Sequence, residues 1–317
     1  MHAFRSILLA ITRQHTSEME LRQTFQLARD NRATLLIAIF DHSLETFHHL
    51  QFIPLEQKLE DHLRQQLEEE LERLKAQAWE HGIEAQTTIV YGRPRQTIHE
   101  VIREHSIDLV IKLADASGAL SRKQLTGNDL ALLRKCPVPI LMMADREQLP
   151  EFSGKIMVAM DVGNADSEVH TLNRTLLKYG IYLAAQEQSE LHLVSVWSIP
   201  LRKGALNTLS DEELYELHEI TQRRYHNKLK ELMEEEGLNK EEQLNVSIHE
   251  LHGKPAPEIQ QLSNKLNVDV IVMGTMSRPR KGILVGNTAE NIMNSIYCSI
   301  LAVKPEGFIS PLERTDE

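Results

Sequence analysis

Short apolar runs alternate along the chain with longer polar stretches that have a helical period. The runs cover residues 6–11, 34–40, 85–91, 108–113, 139–144, 155–160, 190–197, 244–251, 268–273 and 299–303. Most of them are almost continuously apolar, which is typical of strands buried on both faces of a sheet. Strands that alternate with helices over short connections predict a parallel sheet covered by helices on both sides.

Two of these runs, 85–91 and 244–251, contain more polar residues than the others, which favours edge strands. Among the polar stretches, 55–81 is rich in Glu, Gln, Leu and Lys, all good helix formers. Ser210 and the acidic residues that follow it have the pattern of a capping box. This pattern predicts a helix that runs towards Glu236 and ends at Gly237.

The chain contains the same unit twice. Three pairs of matching positions, separated by 149, 161 and 162 residues, are Ile7 with Ile156, Asp108 with Asp269, and Cys136 with Cys298. Both copies also have a glycine shortly before a proline and an isoleucine, at Gly92 and Gly253. The repeat predicts two tandem doubly wound α/β domains, 1–149 and 150–317, joined by a link near 148–154 that contains proline and glycine.

The chain has 317 residues and a formal net charge of -11. General nucleic-acid binding and polybasic membrane attachment both need positive charge, so neither is expected. No run approaches the roughly 18 apolar residues of a membrane span, and the N-terminus lacks a convincing signal peptide. Cys136 and Cys298 each precede a strand, and two cysteines are too few for a disulfide framework. We therefore expect a cytoplasmic protein.

Candidate binding residues lie at strand ends in the second copy. Asp161 ends its first strand, Val196 lies near the end of the second, and Gly274 ends the fourth. Because ligands of open α/β sheets bind at the carboxyl ends of the strands, this convergence favours the second copy as the binding half. The residues also have plainer interpretations: Asp161 as a helix cap, Val196 as core and Gly274 as a turn glycine.

The loop that follows Gly274 has the composition of a phosphate-binding loop. Gly286, Asn287 and Thr288 stand at the start of a predicted helix, where backbone N–H groups and a hydroxyl bind anions. Three basic residues between the two glycines add positive charge: Arg278, Arg280 and Lys281. The alternatives are an ordinary capped helix start and a solvated basic face.

Catalytic and metal motifs are weak. The sequence has no Walker-type Gly-Lys-Ser/Thr motif, no nucleophile elbow and no convincing Ser–His–Asp pattern. His48 and His49 are adjacent, and His249 and His252 are three apart in a predicted strand, so the side chains of neither pair converge. We expect no catalytic residue and no metal site.

The second copy resembles the universal stress protein domain, whose motif is Gly, two residues, Gly, nine residues, Gly and then Ser or Thr. In that family the glycine loop holds the phosphates of ATP. An Asp after the first strand and a backbone group near the end of the second hold the adenosine. The matching positions here are Asp161, Val196, Gly274, Ser277, Gly286, Asn287 and Thr288. The strings LLRKCP (132–137) and GNTAE (286–290) are similar to those of a tandem two-domain family member.

Both copies depart from the family motif. In the second copy Ser277 replaces the second glycine, eight residues instead of nine precede Gly286, and Asn287 displaces the hydroxyl residue to Thr288. In the first copy Leu113 stands at the position of Gly274 and Thr12 at that of Asp161. Gly127 and Asn128 form at most a fragment of the loop. We expect the first copy to bind no nucleotide.

The resemblance implies a cytoplasmic stress-response protein with no established catalytic reaction. Family members dimerise through their last strands, so the runs 139–144 and 299–304 are expected to pair within one chain as a pseudo-dimer, with further self-association left open. Three functions stay open. The first is a regulatory module that binds ATP, AMP or another phosphorylated molecule in the second domain. The second is a scaffold with vestigial sites. The third, ranked last, is a slow ATPase or autophosphorylating enzyme.

Overall fold

The computed structural model describes residues 3–12, 18–42, 53–113, 126–144, 153–199, 209–238, 244–275, 289, 291–292 and 298–310. The chain forms two compact units, Met1–Leu149 with Ile309–Glu317, and Pro150–Phe308. Ser310 is fully buried, and its hydroxyl donates to the carbonyl oxygen of Lys135 over 2.6 Å. The described end of the chain therefore belongs to the first unit, whereas the sequence prediction assigns it to the second.

The first unit is a parallel sheet with interleaved helices. Its described elements are β1 (Ser6–Ile11), α1 (Glu18–Asn31), β2 (Thr34–Asp41), α2 (Ile53–Glu80), β3 (Ala85–Tyr91), α3 (Pro94–Glu104), β4 (Leu109–Leu113), α4 (Gly127–Lys135) and β5 (Ile140–Met143). The strands lie in the order β3-β2-β1-β4-β5, and these neighbours pair in parallel.

The second unit repeats this arrangement. Its described elements are β6 (Lys155–Met160), α5 (Ser167–Glu187), β7 (Glu190–Trp197), α6 (Asp211–Glu235), β8 (Val246–His252), α7 (Pro255–Leu266), β9 (Val270–Gly274) and β10 (Ser299–Val303). The order is β10-β9-β6-β7-β8, again with parallel neighbours. In both units the strand order reverses next to the first strand, between β1 and β4 and between β6 and β9. The predicted tandem doubly wound fold is confirmed.

Burial follows the hydrophobic pattern of the sequence. Strands β4 and β10 are buried at every position, whereas β3 and β8 are half-buried or exposed along most of their length. Within its own unit, each of β3 and β8 lies at one end of the strand order. The more polar composition of these two strands therefore agrees with an edge position in each unit.

Matching aspartates join the first strand of each unit to the fourth. The Asp108 carboxylate accepts hydrogen bonds from the backbone amides of Arg5, over 2.7 Å, and Ser6, over 3.0 Å. In the second unit the Asp269 carboxylate accepts from the backbone amides of Ser153 and Lys155 over 3.2 and 2.8 Å. The aspartate thus satisfies amides that precede or begin the first strand, which explains why it recurs in both copies.

The two repeated glycines turn the chain from the third strand into the following helix. Gly92 and Gly253 have φ values of 122° and 145°, which side-chain-bearing residues rarely adopt. Their amides donate to the last carbonyls of the neighbouring strands, Asp41 and Trp197, over 2.7 and 3.0 Å. A proline then occupies the first turn of α3 and of α7, where a missing N–H costs nothing.

Element ends shift by one or two residues from the predicted ones. Strands β4 and β9 begin after Asp108 and Asp269, because these side chains bind the neighbouring strand instead. The capping box of α6 is confirmed: the Ser210 hydroxyl accepts from the Glu213 amide over 3.2 Å, and the Glu213 carboxylate accepts from the Ser210 amide over 2.8 Å. Both cysteines are buried, and neither forms a disulfide. The pairing of the last strands as a pseudo-dimer stays a prediction.

Candidate functional site

A cavity of about 170 Å³ opens in the second unit where the strand order reverses. Its walls come from the carboxyl ends of β6, β7 and β9, from helices α5 and α7, and from residues 289 and 292. The lining residues are Ala159, Met160, Asp161, Val169, Leu172, Asn173, Leu176, Val196, Pro255, Ile259, Met273, Gly274, Thr275, Ala289 and Ile292. The structure therefore brings three of the residues selected from the sequence, Asp161, Val196 and Gly274, around one cavity.

Asp161 is held in place through its backbone rather than its carboxylate. The side-chain amide of Asn173, which is buried in α5, accepts from the Asp161 amide over 3.2 Å and donates to its carbonyl over 3.0 Å. The cap of α5 is Asp166, whose carboxylate accepts from the Glu168 amide over 3.0 Å. The helix-cap interpretation of Asp161 is therefore wrong, and its exposed carboxylate lies at the cavity wall.

Gly274 packs against the side chains of α5. It ends β9 without a positive φ, and a Cβ added to it would lie 2.8 Å from Cδ2 of Leu172 in α5. Real Cβ atoms almost never approach that closely, so a larger residue at this position would displace the end of the Leu172 side chain. The turn interpretation of Gly274 is therefore wrong. Val196 is half-buried in the cavity wall instead of fully packed in the core.

Thr275 lies in the cavity wall and was missed by sequence reasoning. It follows Gly274, is fully buried, and accepts a short hydrogen bond from the ammonium group of Lys304. Lys304 follows β10 and is itself only 7% exposed. Because these residues are 29 positions apart in the chain, only the pairing of β9 with β10 brings them together.

Tyr225 of α6 also approaches the Asp161 end of the site and was not predicted. A Cβ added to Gly163, two residues after Asp161, would lie 1.9 Å from the Tyr225 hydroxyl oxygen. Burial raises the pKa of the Tyr225 phenol, and the negative charge of Asp161 raises it further. The phenol therefore stays protonated and can donate a hydrogen bond next to the carboxylate of Asp161.

The model of the universal stress protein family matches residues 3–143 and 153–304. The chain belongs to the universal stress protein family. Universal stress protein E of Photorhabdus laumondii is 31% identical over 251 residues, covering 77% of either chain. The universal stress protein E homolog of Haemophilus influenzae is 24% identical over 323 residues, covering 95% of this chain and 98% of that one.

Solved structures agree with this assignment. A functionally unknown protein from Pseudomonas aeruginosa PAO1 is 25% identical, with a TM-score of 0.68 over 96% of this chain and 94% of its own. A universal stress protein from Archaeoglobus fulgidus is 15% identical and shares the fold, with a TM-score of 0.62 over 94% of this chain and 98% of its own. The predicted tandem universal stress protein is thereby confirmed.

In the first domain of this universal stress protein, larger buried side chains stand at the positions equivalent to two cavity-lining residues of the second domain. By strand pairing, Leu113 is equivalent to Gly274 of the second domain, and Phe40 is equivalent to Val196. Leu113 and Phe40 are 6% and 3% exposed. Both side chains are larger than their counterparts, so they reduce the space available to a ligand.

A buried ion pair links strand β4 of the first domain to the start of helix α4. The ammonium of Lys112, in β4, donates to Asp129 Oδ1 over 2.7 Å and to the Leu113 carbonyl over 2.9 Å. Asp129 also forms a capping box with Thr126 at the start of α4. The predicted loop fragment at Gly127 therefore begins a helix, and the Thr126 hydroxyl binds the backbone amide of Asp129 in its first turn over 3.2 Å.

Histidines that the sequence singled out contact other rings. His249 Nε2 lies 3.0 Å from His192 Nδ1, and burial lowers the pKa of both imidazoles. His252 instead packs on Trp197 and His218, with ring centroids 4.4 and 5.0 Å away. His249 and His252 thus have separate partners, as their spacing predicts. Among the described residues, no group of three or more His, Cys, Asp or Glu side chains is placed to hold a metal ion.

The remaining predicted positions of the motif lie outside the described residues. They are Ser277, Gly286, Asn287 and Thr288, with the basic residues Arg278, Arg280 and Lys281 and the pair His48 and His49. Their roles stay predictions. In the part of the chain that is described, no helix is long and apolar enough to cross a membrane.

Proposed function

We propose that the second domain binds ATP, AMP or another phosphorylated molecule, and that this ligand regulates a cytoplasmic stress response. The observation that carries the proposal is the convergence of Asp161, Val196 and Gly274 on one cavity at the strand-order reversal. These are the positions that match the adenosine-binding and phosphate-binding elements of the family motif.

The chemistry of the cavity suits a nucleotide. The Asp161 carboxylate accepts hydrogen bonds, which fits the hydroxyl groups of a ribose. Val196 offers strand backbone to a base, and Gly274 leads into a loop whose glycine and hydroxyl residues suit phosphate. A side chain at position 274 would press on Leu172, which lines the same cavity.

The apolar part of the cavity supports a variant of this function. Leu172, Leu176, Met273 and Ile292 line the same cavity as Asp161. A phosphorylated ligand that also carries an apolar group would place that group against these side chains, since apolar and polar groups commonly share one cleft.

The proposed function is non-catalytic. Neither the sequence nor the described residues supply a nucleophile–base pair next to Asp161. A slow ATPase would need a further base or a metal-holding carboxylate. Measured hydrolysis above background that is lost in Asp161→Asn would support the enzyme alternative instead.

Isothermal titration of the whole chain with ATP and AMP tests the proposal. One nucleotide is expected to bind per chain. We expect Asp161→Asn to weaken binding by about 10- to 100-fold, because a charge-assisted hydrogen bond contributes ~1.5–3 kcal/mol. Gly286→Asp places a negative charge in the predicted phosphate loop and is expected to weaken binding as well.

The matched control is Glu212→Gln, which removes an exposed carboxylate from α6 of the same domain. It should leave both affinity and melting temperature unchanged. No heat of binding up to millimolar ATP, with a melting temperature that ATP does not raise, would contradict the proposal and favour a scaffold with vestigial sites.

A further inference from the structure

We propose that Lys304 is the positive charge that holds the anionic end of the ligand, and that it acts through the hydroxyl of Thr275. The inference rests on the proposed function and adds a residue that the family motif does not contain. It assigns a direction to the ligand: its anionic group lies towards β10, and its hydrogen-bond donors lie towards Asp161.

Strand pairing fixes the position of Lys304. Val303, the last residue of β10, lies opposite Gly274, the last residue of β9. The amide of Thr275 donates to the carbonyl of Val303 over 3.2 Å. Thr275 and Lys304 therefore both follow strand ends at the same edge of the sheet, with Thr275 in the cavity wall and Lys304 beside it.

The hydrogen bond between these residues sets the polarity of the Thr275 hydroxyl. An ammonium group can only donate, so the hydroxyl oxygen accepts from Lys304. The hydroxyl proton then points elsewhere and is available to an acceptor in the cavity. A hydroxyl that accepts from a cation is also polarised, which strengthens its own donation to an anion such as a phosphate oxygen.

Burial makes the lysine charge effective. Lys304 is 7% exposed and its ammonium lies 5.3 Å from the centroid of the Phe308 ring, so it is held on the protein instead of extending into solvent. An ammonium group with little water around it interacts more strongly with a nearby hydroxyl or anion than an exposed lysine does. In the first domain the corresponding position by strand register is Ala144, so this device belongs to the second domain alone.

The test compares the affinity of whole-chain Lys304→Met for adenosine, AMP and ATP with that of the wild type. If Lys304 holds the anionic end, AMP and ATP should bind about 10- to 100-fold more weakly, while adenosine affinity changes by less than about twofold. Lys304→Arg keeps the charge and should recover most of the loss. Lys265→Met is the matched control, because it removes an exposed lysine of the same domain, and it should bind all three ligands normally.

Thr275→Val provides a second variant if Lys304→Met does not fold. It retains the lysine and removes the hydroxyl, so it should also lose affinity for AMP and ATP but not for adenosine. Equal losses for adenosine and ATP, or no loss in either variant, would overturn the inference while leaving the proposed function intact. A wild-type chain that binds none of the three ligands would contradict both.

Discussion

Replacing Lys112 by methionine should destabilise the first domain far more than any surface change. The Lys112 and Asp129 side chains are 1% and 0% exposed, and the 2.7 Å bond between them neutralises both charges. Removing one partner of a buried ion pair costs ~3–5 kcal/mol, because the other charge stays buried without its counter-ion. Asp129 keeps hydrogen bonds from the Thr126 amide and hydroxyl over 3.0 and 2.8 Å, so we expect the lower half of that range.

The double variant Lys112→Met/Asp129→Asn separates charge from packing. An asparagine at position 129 still accepts from the Thr126 amide but carries no charge. We therefore expect it to restore stability to within about 1 kcal/mol of the wild type, since replacing both partners of a buried pair is often close to neutral. Methionine is also the residue that the second domain has at this position, Met273.

Hydrogen exchange during urea titration is the appropriate assay, because two domains need not unfold in one transition. Exchange of the β4 amides reports the first domain, and exchange of the β9 amides reports the second. Lys75→Met, an exposed substitution in α2, should change stability by no more than about 0.5 kcal/mol. A Lys112→Met variant as stable as the wild type, or a double variant less stable than the single one, would refute the reasoning.

Two further predictions concern the second domain. Gly163→Ala should lower the free energy of unfolding by ~1–3 kcal/mol, because the new Cβ would lie 1.9 Å from the hydroxyl oxygen of Tyr225. Urea midpoints should show that adding Tyr225→Ala removes most of this loss. If the two substitutions have additive effects on stability, the contact is contradicted. The lowered pKa values of His192 and His249 mean that the unfolded chain takes up protons first as the pH falls below the ordinary histidine pKa of 6.5. The contribution of this pair to stability should therefore be fully present above pH 6.5 and decrease below it. The decrease should be smaller in His249→Gln. A wild-type urea midpoint that is equal at pH 7.5 and 5.5 would contradict the burial of the pair.

Much of the fold was predictable because it depends on local patterns and on repetition. Apolar runs identified the strands, and polar composition identified β3 and β8 as edge strands of their units. The repeated Asp108 and Asp269 could be recognised as a pair from spacing alone. Their purpose, the binding of amides before and at the start of the first strand, needed the structure because those amides are about 100 residues away.

The candidate site was predictable only where it follows from strand ends. Asp161, Val196 and Gly274 follow from the rule that parallel strands present their carboxyl ends at one edge of the sheet. Lys304 contacts Thr275 of the cavity wall, and Tyr225 lies next to Gly163, two residues after Asp161. Neither occupies a position that periodicity or a motif marks as special. Lys112 was assigned to a buried strand, but nothing in its neighbourhood indicated that Asp129 would neutralise it.

Native mass spectrometry of the freshly purified chain, followed by titration with ATP, tests the central claim most directly. A ligand-binding second domain predicts one nucleotide per chain, either co-purified or titrated, with weaker binding in Asp161→Asn but not in Glu212→Gln. A single bound mass other than a nucleotide would identify the alternative phosphorylated ligand. A chain that carries no adduct and takes up no ATP at millimolar concentration would contradict the claim.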